Sequence, residues 1–191
     1  MPLFDHFSLI APFYDRAIPL QYADKIVSML GLPVKGALLD VGGGTGRVAE
    51  ALRSYATQAV IADVSIGMLR QAKSKGCCSA VCAESERMPF PDESFERVLM
   101  VDALHHVADQ GVTCTQMWRV LCPGGRLVIL EPDIHQLAVK GVAVLEKLAL
   151  MRSHFVSAEH IASLFPYKNA CVRIDFESFN AWITVDKAIT G

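Results

Sequence analysis

Apolar residues along the chain fall into short unbroken runs, separated by segments in which they recur every three or four positions. The runs are Ala37-Leu-Leu-Asp-Val41, Ala59-Val-Ile-Ala-Asp63, Ser79-Ala-Val-Cys82, Arg97-Val-Leu-Met-Val101 and Arg126-Leu-Val-Ile-Leu130. Runs this short and this continuously apolar read as strands buried on both faces. The helical spacing between them predicts helices over about 46–54, over 66–75 and from the fourth strand to about Leu121. Strands alternating with helices make a parallel sheet covered on both sides. Pro123-Gly-Gly125 punctuates the approach to the fifth strand.

Beyond residue 131 the rhythm changes. Helical segments near 137–152 and 157–165 lead to strand-like runs at 170–176 and 180–186. Only a few residues separate those two runs, so they form a hairpin and at least one strand must run antiparallel. Helical segments at about 3–16 and 20–30 precede the first strand. The predicted fold is α/β: a doubly wound, mostly parallel seven-stranded sheet with a terminal antiparallel hairpin and an N-terminal helical extension. It forms one domain over 1–191, with a helical lid at 1–30, a core at 31–132, and substrate-side helices and hairpin at 133–191.

Composition changes this picture in one respect. Of 191 residues, 52% are hydrophobic and 20% charged, and the mean hydropathy is +0.32. Such values exclude disorder and raise the question of a membrane. Yet the longest apolar-leaning stretch, from Ile134 to Met151, is broken by His135, Gln136, Lys140, Glu146 and Lys147, whereas a span needs about 20 apolar residues in a row. Five doubly buried strands absorb much of the excess. The remainder sits in 1–30 (Phe4, Phe7, Phe13, Tyr14, Tyr22) and 132–166 (Leu137, Val142, Leu145, Leu148, Met151, Phe155). Those residues serve as core, as the wall of an apolar acceptor pocket, or as a patch for a homodimer.

Charge and cysteine narrow the partners. Eighteen Lys and Arg against twenty Asp and Glu, with no basic run, offer no footprint for nucleic acid. The six cysteines contain no C-x-x-C pair and lack zinc spacings, so no metal site is expected. Residues 1–16 carry Asp5, His6 and Asp15 rather than a basic, then apolar, leader. Reduced thiols in a cytoplasmic chain are the expectation.

The candidate chemistry lies where the first two strands end. In doubly wound sheets the ligand sits at the carboxyl ends of the strands, at the topological switch point. The first strand runs into Asp40-Val-Gly42-Gly-Gly44-Thr-Gly46. Counted from Gly42, the third glycine of a dinucleotide fingerprint falls on Arg47, which disfavours a nicotinamide-dependent oxidoreductase. The pattern present is D-x-G-x-G-x-G, and an acid two residues before the first glycine suits an ammonium better than a pyrophosphate. The second strand ends in Asp63, seventeen residues after Gly46. A carboxylate there can accept both hydroxyls of a ribose; it could instead cap the next helix, for which Ser65 is better placed.

These segments resemble the class I S-adenosylmethionine-dependent methyltransferases of the ubiquinone/menaquinone-biosynthesis type, whose sheet is Rossmann-like. Leu38-Leu-Asp-Val-Gly-Gly-Gly-Thr-Gly46 resembles the family's cofactor loop, and Asp63-Val-Ser-Ile-Gly-Met-Leu69 its second-strand motif. Ala83-Glu-Ser-Glu-Arg-Met-Pro-Phe-Pro-Asp-Glu-Ser-Phe95 and Val101-Asp-Ala-Leu-His-His-Val107 are similar to the third and fourth. Arg119-Val-Leu-Cys-Pro-Gly-Gly125 resembles the turn into the fifth strand, and Ile10-Ala-Pro-Phe-Tyr-Asp15, more weakly, the family's first helix. Glu96 after Phe95, and Gly43, depart from the usual pattern.

The resemblance implies S-adenosylmethionine as cofactor. It places Asp40, Gly42, Gly44 and Gly46 at the methionine end, Asp63 on the ribose, and Val64 and Met68 on the adenine faces. Glu84 and Ser85 would stand near the adenine amino group, Asp102 and Ala103 would floor the site near the sulfonium, and Tyr14 would close it from above.

Methyl transfer needs a base only if the acceptor must lose a proton. The candidates are His105, His106 and Asp133, with Glu131 and His135 behind them. No Asp/Asn/Ser-Pro-Pro-Tyr/Phe run or Pro-Cys dipeptide points to nucleic-acid bases. The cysteines do not match the arsenic-methylating framework. A small, hydrophobic or aromatic methyl acceptor is expected. Aminopropyl transfer on the same fold, and a non-catalytic interaction module, remain the alternatives.

Overall fold

The computed structural model describes residues 6–17, 20, 22–76, 78–136 and 153–189. Two helices, α1 (His6–Ala17) and α2 (Ala23–Leu30), come first. The α/β alternation follows as β1 (Ala37–Val41), α3 (Arg47–Leu52), β2 (Gln58–Asp63), α4 (Ile66–Lys75), β3 (Ser79–Cys82), β4 (Phe95–Val101), α5 (Gln110–Val120) and β5 (Leu121–Pro132). A short α6 (Ala158–Ser163) precedes β6 (Ala170–Glu177) and β7 (Asn180–Lys187). The helix expected at 137–152 lies outside the described residues.

The strands form one seven-stranded sheet in the order β3-β2-β1-β4-β5-β7-β6. Every pair up to β5 is parallel, while β7 is antiparallel to both β5 and β6. The expected doubly wound sheet and terminal hairpin are therefore both present. One face buries Leu39, Val41, Met100, Ile129 and Ile183 with Met117 of α5 and Ile161 of α6. The other buries Leu38, Leu99, Val128, Leu130 and Trp182 with Ile26 and Leu30 of α2 and Val48 and Leu52 of α3. Alternate residues of one strand thus feed opposite cores, which is why these strands are apolar throughout.

Several boundaries differ from the sequence expectation. β4 starts at Phe95, with a register shift between Phe95 and Arg97. β5 begins at Leu121, because Leu121 pairs with Phe95 before the Pro-Gly-Gly turn. After β4 the chain makes a 3-10 turn at Leu104–His106 before α5 starts at Gln110, where Asp109 caps the helix by accepting from Val112 N at 2.9 Å.

The order of strands matters for function. β1 and β4 are neighbours although β2 and β3 lie between them in sequence, so the loop after β1 and the turn after β4 leave the sheet in adjacent positions. In doubly wound sheets this is the place where a ligand crevice forms.

Candidate active site

The loop after β1 is held open by its glycines. Gly42, Gly44 and Gly46 all have positive φ. At two positions the missing side chain also makes room. A Cβ on Gly42 would lie 2.7 Å from the Cβ of Ala103, beyond the end of β4. A Cβ on Gly43 would lie 2.7 Å from Oδ2 of Asp40. The bare α-carbon of Gly43, a departure from the usual pattern, thus leaves space directly over that carboxylate.

Asp40 points into the face beneath α3 and is 1% exposed. The Ala49 N–H bonds its carboxylate, but Oδ2 has no hydrogen-bond partner among the described residues. Burial pushes the carboxyl up to about 7; Arg47 nearby opposes the shift and Asp63 adds to it. A buried acid with an orphaned oxygen is costly unless a cation or donor meets it.

Asp63 ends β2 one strand away. Its Oδ2 accepts from Gly44 N at 2.9 Å, and its Oδ1 from Ser65 N at 2.7 Å. Ser65, not Asp63, caps α4, accepting from Met68 N at 3.4 Å. The two carboxylate oxygens thus fix the glycine loop and the start of α4. Beside it Val64 is exposed and Met68 is buried. Glu84 follows β3 and is exposed. Ser85 faces inward, with its Oγ 3.1 Å from Glu86 Oε2 and 3.2 Å from Thr113 Oγ1.

Asp102 follows β4 with φ +50, a conformation that L-residues seldom adopt. Its Oδ2 lies 3.5 Å from Nη2 of Arg47, the first residue of α3. Burial raises the Asp102 carboxyl, as does Glu131, against Arg47 and His105. The Arg47 guanidinium also sits 5.8 Å from the ring centroid of Tyr14. Burial raises the Tyr14 phenol as well, opposed by Arg47 and assisted by Asp102, Asp63 and Asp15. Tyr14 of α1 is thus brought to the same crevice as Asp63 and Asp102.

α1 is fastened there at both ends. Ser8 Oγ accepts from Gly67 N at 3.0 Å and lies 3.2 Å from Ser65 Oγ. Asp15 accepts from Thr45 of the glycine loop and pairs at 2.5 Å with Lys75, which also holds Glu50.

On the opposite face of the sheet stands a second cluster. His105 Nδ1 lies 2.5 Å from Glu131 Oε2, and both side chains are 5% exposed. Glu131 Oε1 accepts from Ala103 N at 3.0 Å and from Leu104 N at 2.8 Å. Phe155 stacks on the His105 ring at 4.3 Å, and the His106 ring is 4.0 Å away. His106 is pushed down to about 3 by burial and by His105 beside it, and its Nδ1 is 3.3 Å from Ser153 Oγ. Asp133 is buried in a turn of its own, accepting from His135 N at 3.0 Å and Gln136 Nε2 at 3.4 Å. His135 is on the surface, 3.8 Å from Glu159.

Tyr14, Asp40, Gly42, Gly44, Gly46, Asp63, Val64, Met68 and Asp102 therefore share one crevice, while Glu84 and Ser85 lie at its β3 end. His105 and Glu131 meet; Asp133 stands apart in its turn. Arg47, Asp15 and Lys75 carried no sequence signal strong enough to single them out: Arg47 simply follows the last glycine, and Asp15 and Lys75 are far apart in sequence. Among the described residues no three His, Cys, Asp or Glu side chains gather as a metal site. No described helix is long and apolar enough to cross a membrane.

Comparison with known proteins agrees with this geometry. Residues 39–129 match a family described as a methyltransferase domain. The ubiquinone/menaquinone biosynthesis C-methyltransferase UbiE of Marinomonas sp. (strain MWYL1) is 33% identical over 115 residues, which is 55% of this chain and 46% of that protein. The chain spans about half the length of the curated relatives it matches. Among solved structures, a chain in the complex between the Haloferax volcanii Trm112 methyltransferase activator and its methyltransferase has a TM-score of 0.81 at 17% identity, covering 98% of this chain and 100% of that one. The [4+2]-cyclase SpnF has a TM-score of 0.75 at 16% identity, covering 96% and 95%. Such distant structures share the fold alone, and a fold hosts many reactions. With the sequence match over the cofactor loop and the strands around it, residues 39–129 form a methyltransferase domain of the class I S-adenosylmethionine-dependent type, with distant similarity to the UbiE C-methyltransferases.

Proposed function

We propose that the protein transfers a methyl group from S-adenosylmethionine to a small apolar or aromatic acceptor. The observation that carries this reading is Asp40, buried under the bare α-carbon of Gly43 with Oδ2 unpartnered among the described residues. A cation of small radius is what such a carboxylate lacks, and the ammonium at the methionyl end of the cofactor has that form. Asp63 receives the ribose hydroxyls, and Val64 and Met68 flank the adenine, with Glu84 and Ser85 at its edge. Arg47 takes the carboxylate of the methionyl end in exchange for part of its pairing with Asp102. Tyr14 closes the crevice.

Bound there, the cofactor supplies a methyl group on positively charged sulfur. The chain's own part is placement: Asp102 and Ala103 set the floor, α1 excludes water, and the acceptor enters beside the turn after β4. Holding nucleophile and electrophile in line can account for several kcal/mol of barrier, on the order of 7–11 kcal/mol in favourable cases. A small acceptor is supported by the charge balance, and an apolar one by the aromatic residues near the turn. The cysteine spacing supports a cytoplasmic setting.

Calorimetric titration with S-adenosylmethionine, S-adenosylhomocysteine and NAD tests the reading. Both sulfur compounds should bind and NAD should not. Absence of binding by either sulfur compound overturns it, as does unchanged affinity in Asp63→Ala. A labelled-methyl screen over quinols, phenols, amines and fatty acids then identifies the acceptor. Tight cofactor binding without transfer to any of them would favour an interaction module, and preference for the decarboxylated cofactor an aminopropyltransferase.

A further inference from the structure

We propose that two copies of this chain pair through β6, whose open edge is self-complementary about a two-fold axis at Ile174, so that their two sheets join into one. Such pairing is independent of the reaction and of the acceptor.

β6 is the last strand of the sheet, with no strand beyond it among the described residues. Its eight residues pair with β7 on one side in continuous register. On the other side the strand presents backbone N–H and C=O groups that no neighbouring strand takes up, and such an edge templates the addition of another strand. Long regular edges are usually interrupted by a proline or a bulge, and Ala170–Glu177 contains neither. The opposite edge, β3, offers half that length, four residues.

Alternation along β6 sorts its side chains by charge. Arg173 and Asp175 stand opposite Thr184 and Trp182, on the face that α2 covers. Val172, Ile174 and Phe176 stand opposite Val185, Ile183 and Ala181, on the face of α6. Arg173 and Asp175 are exposed, and Phe176 leaves 53% of its surface in water at the margin of the sheet.

A two-fold axis perpendicular to the sheet keeps each face on its own side and makes the added strand antiparallel, and it must then fall at a residue. Three such registers pair most of the strand. An axis at Arg173 sets arginine against arginine, and an axis at Asp175 sets acid against acid; like charges directly opposite repel. An axis at Ile174 sets Arg173 against Asp175 of the other copy, twice over by symmetry. On the apolar face it sets Val172 against Phe176 of the other copy, again twice, and Ile174 against itself. Opposite charges and apolar side chains placed directly across a strand pair stabilise it. Arg173 already lies 2.7 Å from Asp186, but that acid is also held by Arg126 at 2.6 Å, and half of the Arg173 side chain is exposed.

The same symmetry fixes where the two sites lie. Glu177 pairs with Asn180, and Asn180 with Pro132, so β6 ends at the carboxyl edge of β5. The antiparallel copy therefore turns its crevice to the opposite end of the joined sheet. β5, β7 and β6 stand between β4 and the axis, so neither copy reaches the other's crevice.

Charge exchange tests the register. Arg173→Asp places acid against acid across the axis and Asp175→Arg places arginine against arginine, so each variant should lose at least about tenfold in self-association at low salt. A one-to-one mixture sets the two acids of one chain against the two arginines of the other, and should associate within a few-fold of the wild type. Sedimentation velocity on the full chain reads all three, with a wild-type Kd of about 1–100 μM expected. Hydrogen exchange in wild-type Ala170–Glu177 should slow as concentration rises while that in Ser79–Cys82 stays constant, a measurement that needs no variant. S-adenosylhomocysteine affinity should be the same in both variants as in the wild type. A wild type that stays monomeric to about 1 mM, a dimer that either substitution leaves intact, a mixture no tighter than the separate variants, or protection of β3 rather than β6 overturns the proposal.

Discussion

Gly42 and Ala103 touch so closely that a Cβ on the glycine would stand 2.7 Å from the Cβ of the alanine. The loop after β1 thereby rests on the residue that begins the turn after β4, and the cofactor crevice is formed by their meeting. Gly42 also has φ +68, so Gly42→Ala combines backbone strain with a steric clash. The expected loss is about 1–3 kcal/mol of stability, read by thermal denaturation, and S-adenosylhomocysteine binding should weaken at least tenfold (about 1.4 kcal/mol). Wild-type affinity in that variant would show that the two segments move apart at no cost to the site.

Asp40 makes stability and binding run in opposite directions with pH. Its ordinary value of 3.8 is raised to about 7 in the fold, so between those values the folded chain holds a proton that the unfolded chain has released. The stabilisation this provides is complete below pH 3.8 and is lost as pH rises through about 7. The ligand-free wild type should lose stability relative to Asp40→Asn between about pH 4 and about pH 7. Cofactor affinity should rise over the same interval, because only the carboxylate attracts an ammonium. Calorimetry in buffers of different ionisation enthalpy should register proton release on binding at pH near 7. Affinity independent of pH across that window would contradict the assignment.

Arg47 should read the carboxylate of the methionyl end and nothing else of the cofactor. Arg47→Gln is expected to weaken S-adenosylhomocysteine by about 1.5–3 kcal/mol, the worth of a hydrogen bond to a charged group. Methylthioadenosine, which lacks the amino acid portion, should bind as before. Equal losses for both ligands would mean that the variant distorts the loop.

The fastening of α1 predicts kinetics more than stability. Asp15 serves both Thr45 and Lys75, and its charge is partly exposed, so Asp15→Ala should cost less than about 1 kcal/mol globally. Hydrogen exchange in α1 should nonetheless quicken, and S-adenosylhomocysteine should dissociate several-fold faster in stopped-flow displacement. Unaltered exchange across His6–Ala17 would show that Ser8 and the apolar contacts hold the helix by themselves.

Much of this organisation was legible in the chain. Unbroken apolar runs located β1, β2, β4 and β5 because strands buried on both faces permit no polar alternation; β3, expected to be buried like them, is instead a mostly exposed edge strand. The spacing of Asp40, Gly42, Gly44, Gly46 and Asp63 pointed to the ligand end of the sheet because the glycines follow β1 directly and each acid stands at the end of its own strand. Local punctuation was less decisive. Pro123-Gly-Gly125 marked a turn correctly, but the start of β5 at Leu121 depends on pairing with Phe95, a partner 26 residues earlier. The 3-10 turn at Leu104–His106 depends on Glu131 accepting from Ala103 and Leu104, which no local window contains.

The sequence by itself determined the fold class, and its family resemblance the cofactor, since apolar runs, loop glycines and strand-end acids are local facts that survive in any window of ten residues. Only the tertiary structure decided which groups share a site. β1 and β4 become neighbours by a crossover, bringing Gly42 against Ala103 and Arg47 to Asp102. The alternation of side chains across the sheet sends Asp40 to one face and Glu131 to the other, so the binding acid and the His105–Glu131 dyad lie on opposite sides of the same sheet. Burial then separated residues that look alike in sequence: His105 met a carboxylate, and His106 a neighbouring imidazole and a serine.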